Sequence, residues 1–290
     1  MFDGNRLLKS DSQRRDVQTE QPTSGGSWPD RFVWALSTAR RGTGLLRRAL
    51  EWIGLHELPV LLVTLVVILT AWGFVTIADE VLEGETHEFD EWAVRALRQP
   101  DNLALPLGPE WLHEAARDLT ALGGASVLAL LTASVAGFLW LRRMYAAMWL
   151  VVIATSGGLV ASLLMKNMFD RPRPSIVPHL ARVYTHSFPS GHAMLSAVVF
   201  LTLGALMGRF VEEMRLKAYF LLLAVMLTVV VGLSRVYMGV HYPTDVLAGW
   251  AAGFAWASAC WLVAKFLQRR GAVERTTPEG DVVKAPDATA

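Results

Sequence analysis

Apolar residues gather into six long runs along the chain, at about 58–78, 122–141, 145–166, 192–210, 218–238 and 245–267. Crossing a hydrocarbon core about 30 Å thick takes roughly 20 residues of helix, so each run qualifies or comes close. The pattern predicts an all-α fold, a six-span transmembrane helical bundle. Ahead of the first run, residues 31–55, ending in LLRRALEWIGL, read as a basic amphipathic helix, either lying on the membrane or packed on the inner side of the bundle. Residues 1–30 hold no apolar run and read as a disordered tail rather than a signal peptide. Gly271–Ala290 is polar, contains Pro278 and Pro286, and is predicted to be unstructured. The organisation expected is a basic tail and amphipathic helix over 1–55, a six-span domain over 56–270 and a tail over 271–290. Between the first two runs, EFDEWAVRALR sets Phe89, Trp92 and Ala96 at helical spacing, which predicts a short helix at the interface or packed onto the bundle.

Composition agrees with a membrane protein. The chain is 53% hydrophobic and only 18% charged, with a mean hydropathy of +0.35, too apolar for an ordinary soluble domain. Its single cysteine, Cys260, excludes an intramolecular disulfide. The net charge of +1 says little about partners; the placement of the charges says more. Arg142, Arg143, Arg215, Lys217, Lys265, Arg269 and Arg270 all fall on the face that carries the N-terminal tail, whereas the loop at 79–118 has only Arg95, Arg98 and Arg117 beside a larger number of acids. By the positive-inside rule both termini are cytoplasmic and this loop is external.

Three polar clusters interrupt the apolar pattern: KNMFDRPRP from Lys166 to Pro174, PSGH from Pro189 to His192, and SRVYMGVHYPTD from Ser234 to Asp245. Counting spans brings all three to the external face. Lys166 and Arg235 could each be snorkelling residues at a helix C-terminus. With Arg173 they make three cations at one locus, which repel unless an anion arrives. Ser190 suits an N-cap, and Gly191 lets a ligand approach the first amides of a helix, an anion-binding arrangement. His192 follows as a candidate proton donor. Asp245, four residues after His241 and in the first turn after Pro243, can hold one ring nitrogen and free the other to attack. A metal at H-x3-D is disfavoured, because Lys166, Arg173 and Arg235 would oppose a divalent cation.

The order K-x6-R-P, P-S-G-H, S-R-x5-H-x3-D resembles the type 2 phosphatidic acid phosphatase superfamily, which shares its site with vanadium haloperoxidases. The matching residues are Lys166, Arg173, Pro174, Pro189, Ser190, Gly191, His192, Ser234, Arg235, His241 and Asp245, every position of the motif. The six-residue spacer selects Arg173 over Arg171, leaving Arg171 as an auxiliary. The resemblance implies a bundle of the phosphatase/haloperoxidase-like type, with His241 as nucleophile, His192 as acid, and Lys166, Arg173, Ser190, the Gly191 amide and Arg235 around the phosphoryl oxygens. No metal or other cofactor is implied. His87, His113, His179 and His186 match no motif position and read as surface or loop residues.

The function expected is a metal-independent lipid phosphate or diphosphate phosphatase of a bacterial inner membrane, with its site facing outward. Its partners would be the bilayer and a lipid phosphate within it, with no nucleic acid. Undecaprenyl diphosphate, phosphatidate and phosphatidylglycerol phosphate all fit, and the outward face favours the first. A lipid phosphotransferase using the same histidine is the alternative. A transporter is disfavoured because the charges gather at one end rather than at midplane, and haloperoxidase activity because those proteins are soluble.

Overall fold

The computed structural model describes residues 54–181 and 185–269 and the two short pairs 275–276 and 282–283. The expected N-terminal tail and amphipathic helix lie almost wholly outside the described residues, as does most of the C-terminal tail, within which Arg275–Thr276 and Val282–Val283 form an antiparallel pair. The chain divides into two compact units, Met1–Glu57 and Leu58–Ala290, and the helical bundle belongs to the second.

Among the described residues eight helices run in chain order: α1 (Gly54–Glu83), α2 (His87–Ala96), α3 (Glu110–Ala121), α4 (Ala125–Leu141), α5 (Tyr145–Met168), α6 (Gly191–Met207), α7 (Met214–Tyr237) and α8 (Pro243–Arg269). Each of the six apolar runs lies mostly within a helix, but not every helix has membrane length. Four do: Leu58–Glu83 of α1, then α5, α7 and α8; α3 and α4, bent by 50° at a short break, would make a fifth if they form one span. α6, apolar but only 17 residues long, falls short. The reason for its composition is its position. Every residue from Ala193 to Thr202 is buried, so α6 is apolar on all sides because protein surrounds it, not lipid. α1 is the opposite case, with no buried residue in its apolar window. Toward its end it meets the bundle through Phe74, whose ring meets Phe169 and Phe188, and the buried Ala78.

With lipid as apolar as the side chains, helices associate by close packing and small residues. α8 meets α6 in this way. A Cβ on Gly249 would stand 2.6 Å from the Ser190 carbonyl oxygen, and one on Gly253 would stand 2.6 Å from that of Met194. Only glycine allows these two backbones to touch, and Ala257 continues the same face four residues on. The contact is sealed by the Ser190 amide, which donates to the Asp245 carbonyl at 2.9 Å.

The stretch read as an external loop is more ordered than the sequence suggested. α2 is joined to α3 through a small antiparallel ladder, β1 (Arg98–Gln99) with β2 (Asn102–Pro106). α2 packs onto the bundle, with the stripe of Phe89, Trp92 and Ala96 turned outward. Phe89 and Trp92 are exposed, whereas Asp90 and Val94 are buried, Val94 in an apolar cluster with Val177, Val236, Tyr242 and Val246. α3 was not foreseen; it is amphipathic, burying Ala116 and Thr120 against α7 and the site.

Candidate active site

The site forms where α5 and α7 end and α6 and α8 begin. Lys166 lies in the last turn of α5 and Arg235 in that of α7; Ser190 caps α6, Gly191 and His192 open it, and Pro243 and Asp245 sit in the first turn of α8. Arg171 and Arg173 come from the segment after α5, and His241 from the turn after α7, where Gly239 takes φ +69°. All eight predicted site residues thus stand at one end of the bundle.

His241 is almost fully enclosed, with 1% of its surface exposed. Its Nδ1 lies 3.3 Å from Asp245 Oδ2, and its Nε2 lies 3.1 Å from Arg173 Nη1. Partner chemistry assigns the tautomer: an arginine can only donate and a carboxylate here accepts, so the proton is on Nδ1 and Nε2 carries the lone pair. Burial pushes the imidazole down to about 3, against the pull of Asp245, so the ring is neutral at physiological pH.

Asp245 is the most heavily bonded carboxylate of the site. Besides His241, its carboxylate accepts from the Tyr242 amide at 2.9 Å, from Ser187 Oγ, and from Arg171 Nη1 at 2.6 Å. Arg171 is the link that sequence reasoning left as an auxiliary. Its Nη2 donates to Asp90 Oδ2 at 2.6 Å, its Nη1 also reaches Thr244 Oγ1 at 2.8 Å, and its guanidinium lies 4.6 Å from the Tyr242 ring centroid. Burial alone would lower its pKa, but the Asp245 and Asp90 carboxylates outweigh it and raise it. Asp90, fully buried, also accepts from the Thr244 amide at 3.1 Å and from Thr244 Oγ1 at 2.5 Å. Asp90, Thr244 and Ser187 had no motif to mark them; a buried acid on the inner face of an amphipathic helix was the one available signal, and the DEW sequence alone does not show which face is inner.

The other three cations have neutral partners. Lys166 Nζ donates to the His186 carbonyl at 2.9 Å. Arg173 donates to the carbonyls of Thr185 at 2.8 Å and Val240 at 2.6 Å, and burial lowers its pKa. Arg235 Nη1 reaches Thr120 Oγ1 at 3.2 Å, while its Nε is buried without a partner, as is Ser190 Oγ. Two unsatisfied polar groups beside three uncompensated cations are costly unless a ligand pairs with them. His192 is half-buried, within electrostatic range of Arg235, His241, Lys166 and Arg173. A Cβ on Gly191 would come within 3.3 Å of Lys166 Cε, so the capping turn lies directly on the lysine stem. Ser234, a motif position, bonds back to the Val231 carbonyl of its own helix at 2.7 Å.

Three of the histidines outside the motif have local partners, His179 Nε2 with the Pro174 carbonyl at 2.8 Å, His186 with Asp170 at 2.7 Å and His87 with Glu91 at 3.3 Å, while His113 lies beside the Tyr237 ring with its Nε2 buried and unbonded.

Residues 145–269 match the family model described as the PAP2 superfamily. Phosphatidylglycerophosphatase B of Bacillus subtilis is 33% identical over 147 residues, which cover 49% of this chain and 70% of that protein. A lipid A 1-phosphatase of Rhizobium johnstonii is 34% identical over 132 residues, 42% of this chain and just under half, 48%, of its own length. The crystal structure of a transmembrane PAP2-type phosphatidylglycerolphosphate phosphatase from Bacillus subtilis superposes with a TM-score of 0.60 at 25% identity, covering 70% of this chain and 96% of that one. The chain belongs to the PAP2 superfamily. It is an enzyme of the lipid phosphatase kind and an integral membrane protein.

Proposed function

We propose that the protein removes a phosphoryl group from a lipid phosphate through a phosphohistidine at His241, without a metal. The observation that carries this reading is the held imidazole. Asp245 accepts a hydrogen bond from Nδ1–H, and the Nε2 lone pair faces a cluster of cations that form no ion pair of their own among the described residues. As substrate enters, Arg173 Nη1 passes from Nε2 to a phosphoryl oxygen. Nε2 then bonds to phosphorus as the phosphorus–oxygen bond to the lipid breaks, and His192 gives its proton to the departing oxygen. Water attacks the phosphohistidine, His192 takes the water's proton, and the nitrogen–phosphorus bond breaks to release phosphate. Lys166, Arg173, Arg235, Ser190 Oγ and the Gly191 amide hold the equatorial oxygens, where transition-state charge is greatest.

Phosphatidylglycerol phosphate is placed first among substrates, because the Bacillus subtilis phosphatidylglycerophosphatase is matched over 70% of its length; undecaprenyl diphosphate is placed second. Both reach the site from the external leaflet if all six apolar runs cross the membrane, α6 as the enclosed central crossing and α3–α4 as one bent crossing, with both termini inside.

Purified protein given a panel of ³²P-labelled lipid phosphates in the presence of a chelator tests the reading. Wild type should release phosphate and form an acid-labile, base-stable phosphoenzyme. His241→Ala should do neither, and His192→Ala should slow the chemistry about 10²- to 10⁴-fold. Undiminished turnover in His241→Ala would remove the nucleophile; label recovered on lipid rather than as free phosphate would indicate phosphotransfer.

A further inference from the structure

At the far end of α6 from His192, about 25 Å along the helix, a cavity of about 650 Å³ opens between α5, α6 and α8. Its walls are apolar, with Trp149, Ile153, Leu206, Trp256 and Val263 prominent, and its only charged lining residue is Arg209. Trp149, Ile153 and Val263 are each more than half exposed, so the slot opens to the side of the bundle that faces lipid. The side-chain oxygen of Gln268, with its amide turned to accept, holds Arg209 Nη1 at 3.2 Å. Among the described residues no carboxylate pairs with Arg209. Lys265 lies within electrostatic range of both Arg209 and Arg269, and its Nζ rests 5.8 Å from the Trp261 ring centroid.

We propose that this slot binds an anionic phospholipid of the leaflet opposite the active site, with an acyl chain between α5 and α8 and the phosphate on Arg209. Away from Arg209 and Gln268 the walls are mostly apolar and match a hydrocarbon chain. A guanidinium held by a neutral amide presents its remaining donors to phosphate. The neighbouring Lys265 favours a net negative head group and disfavours phosphatidylcholine, whose own cation it would repel. The bound lipid would bridge α5, α6 and α8, the three helices whose other ends carry Lys166, His192 and Asp245. The inference does not depend on the chemistry at His241.

Thermal unfolding of the purified full chain in detergent, with phosphatidylglycerol or phosphatidylcholine added, tests it together with native mass spectrometry of retained lipid. Phosphatidylglycerol should raise the Tm by several degrees and phosphatidylcholine should not. The shift and the retained lipid should fall by more than half in Arg209→Gln and in Ala264→Trp, which fills the slot, and should persist in Arg173→Ala at the active site. Equal shifts from both lipids, or a full shift in both slot variants, overturn the proposal. A shift lost only in Arg173→Ala would instead place the lipid at the phosphate site. If Arg209→Gln does not fold, Ala264→Trp carries the test. Hydrolysis of a soluble phosphomonoester by the slot variants, unchanged from wild type, would keep this outcome separate from any failure of the active-site reading.

Discussion

Arg171 shows how one side chain can set the geometry of a site it does not line. It joins two carboxylates that are both fully buried, Asp90 from α2 and Asp245 from α8, with Nη···Oδ distances of 2.6 Å to each. Removing the cation would leave two anions in a low dielectric with no counter-charge, a loss of about 3–5 kcal/mol where one partner of a buried pair is deleted. Arg171→Ala should therefore lower the Tm markedly and reduce kcat with less effect on KM, because Asp245 loses its fixed orientation toward His241. Asp90→Asn keeps the bonds from Thr244 but not the charge, and should show the same kcat defect in weaker form. A normal kcat in a folded Asp90→Ala variant would mean that the clamp serves stability alone. Arg173 differs in kind: it spends its donors on carbonyls and on the imidazole, all of which a phosphate can outbid.

The α6–α8 contact is what brings His192 toward the His241–Asp245 pair, and it depends on two glycines one turn apart. Valine at 249 would put side-chain carbon against the Ser190 carbonyl, where a Cβ already comes to 2.6 Å. Overpacking of this kind costs about 1–3 kcal/mol, and the helices would part at the catalytic end. Gly249→Val is expected to depress the Tm by several degrees and kcat by about 10²-fold, the scale of a misplacement near 1 Å. Gly137→Ala on α4, where nothing lies within 4 Å of the added carbon, should leave both unchanged. Unfolding curves and steady-state kinetics on the pair distinguish seam packing from a general intolerance of glycine replacement. α2 makes a similar point about elements, since its periodicity was readable while its orientation, Asp90 inward and Trp92 outward, depended on what lay beneath it.

For the molecule as a whole, the arrangement of charge predicts which end meets which solution. With Cys260→Ser as background, Glu114→Cys on exposed α3 should react with a membrane-impermeant maleimide on intact bacterial cells, and Arg142→Cys at the opposite end only after lysis. The reverse pattern would invert the orientation and place the active site in the cytoplasm.

Hydrophobic runs, the basic connections and a complete phosphatase motif were legible in the chain, because each depends on residue type and local spacing. They marked every described helix except α3, named eight candidate residues that the structure brings to one end of the bundle, and pointed to the family. Distances between chain segments are not local, and so the tertiary structure alone decided the rest. It buried α6 on every side, broke the second run at Gly123 and Gly124, and ordered α3 so that Thr120 could meet Arg235. It also brought Asp90, 155 positions before Asp245 in the chain, to the other side of one guanidinium. A buried charge is tolerated only where its partner waits, and that partner is set by packing rather than by sequence neighbours.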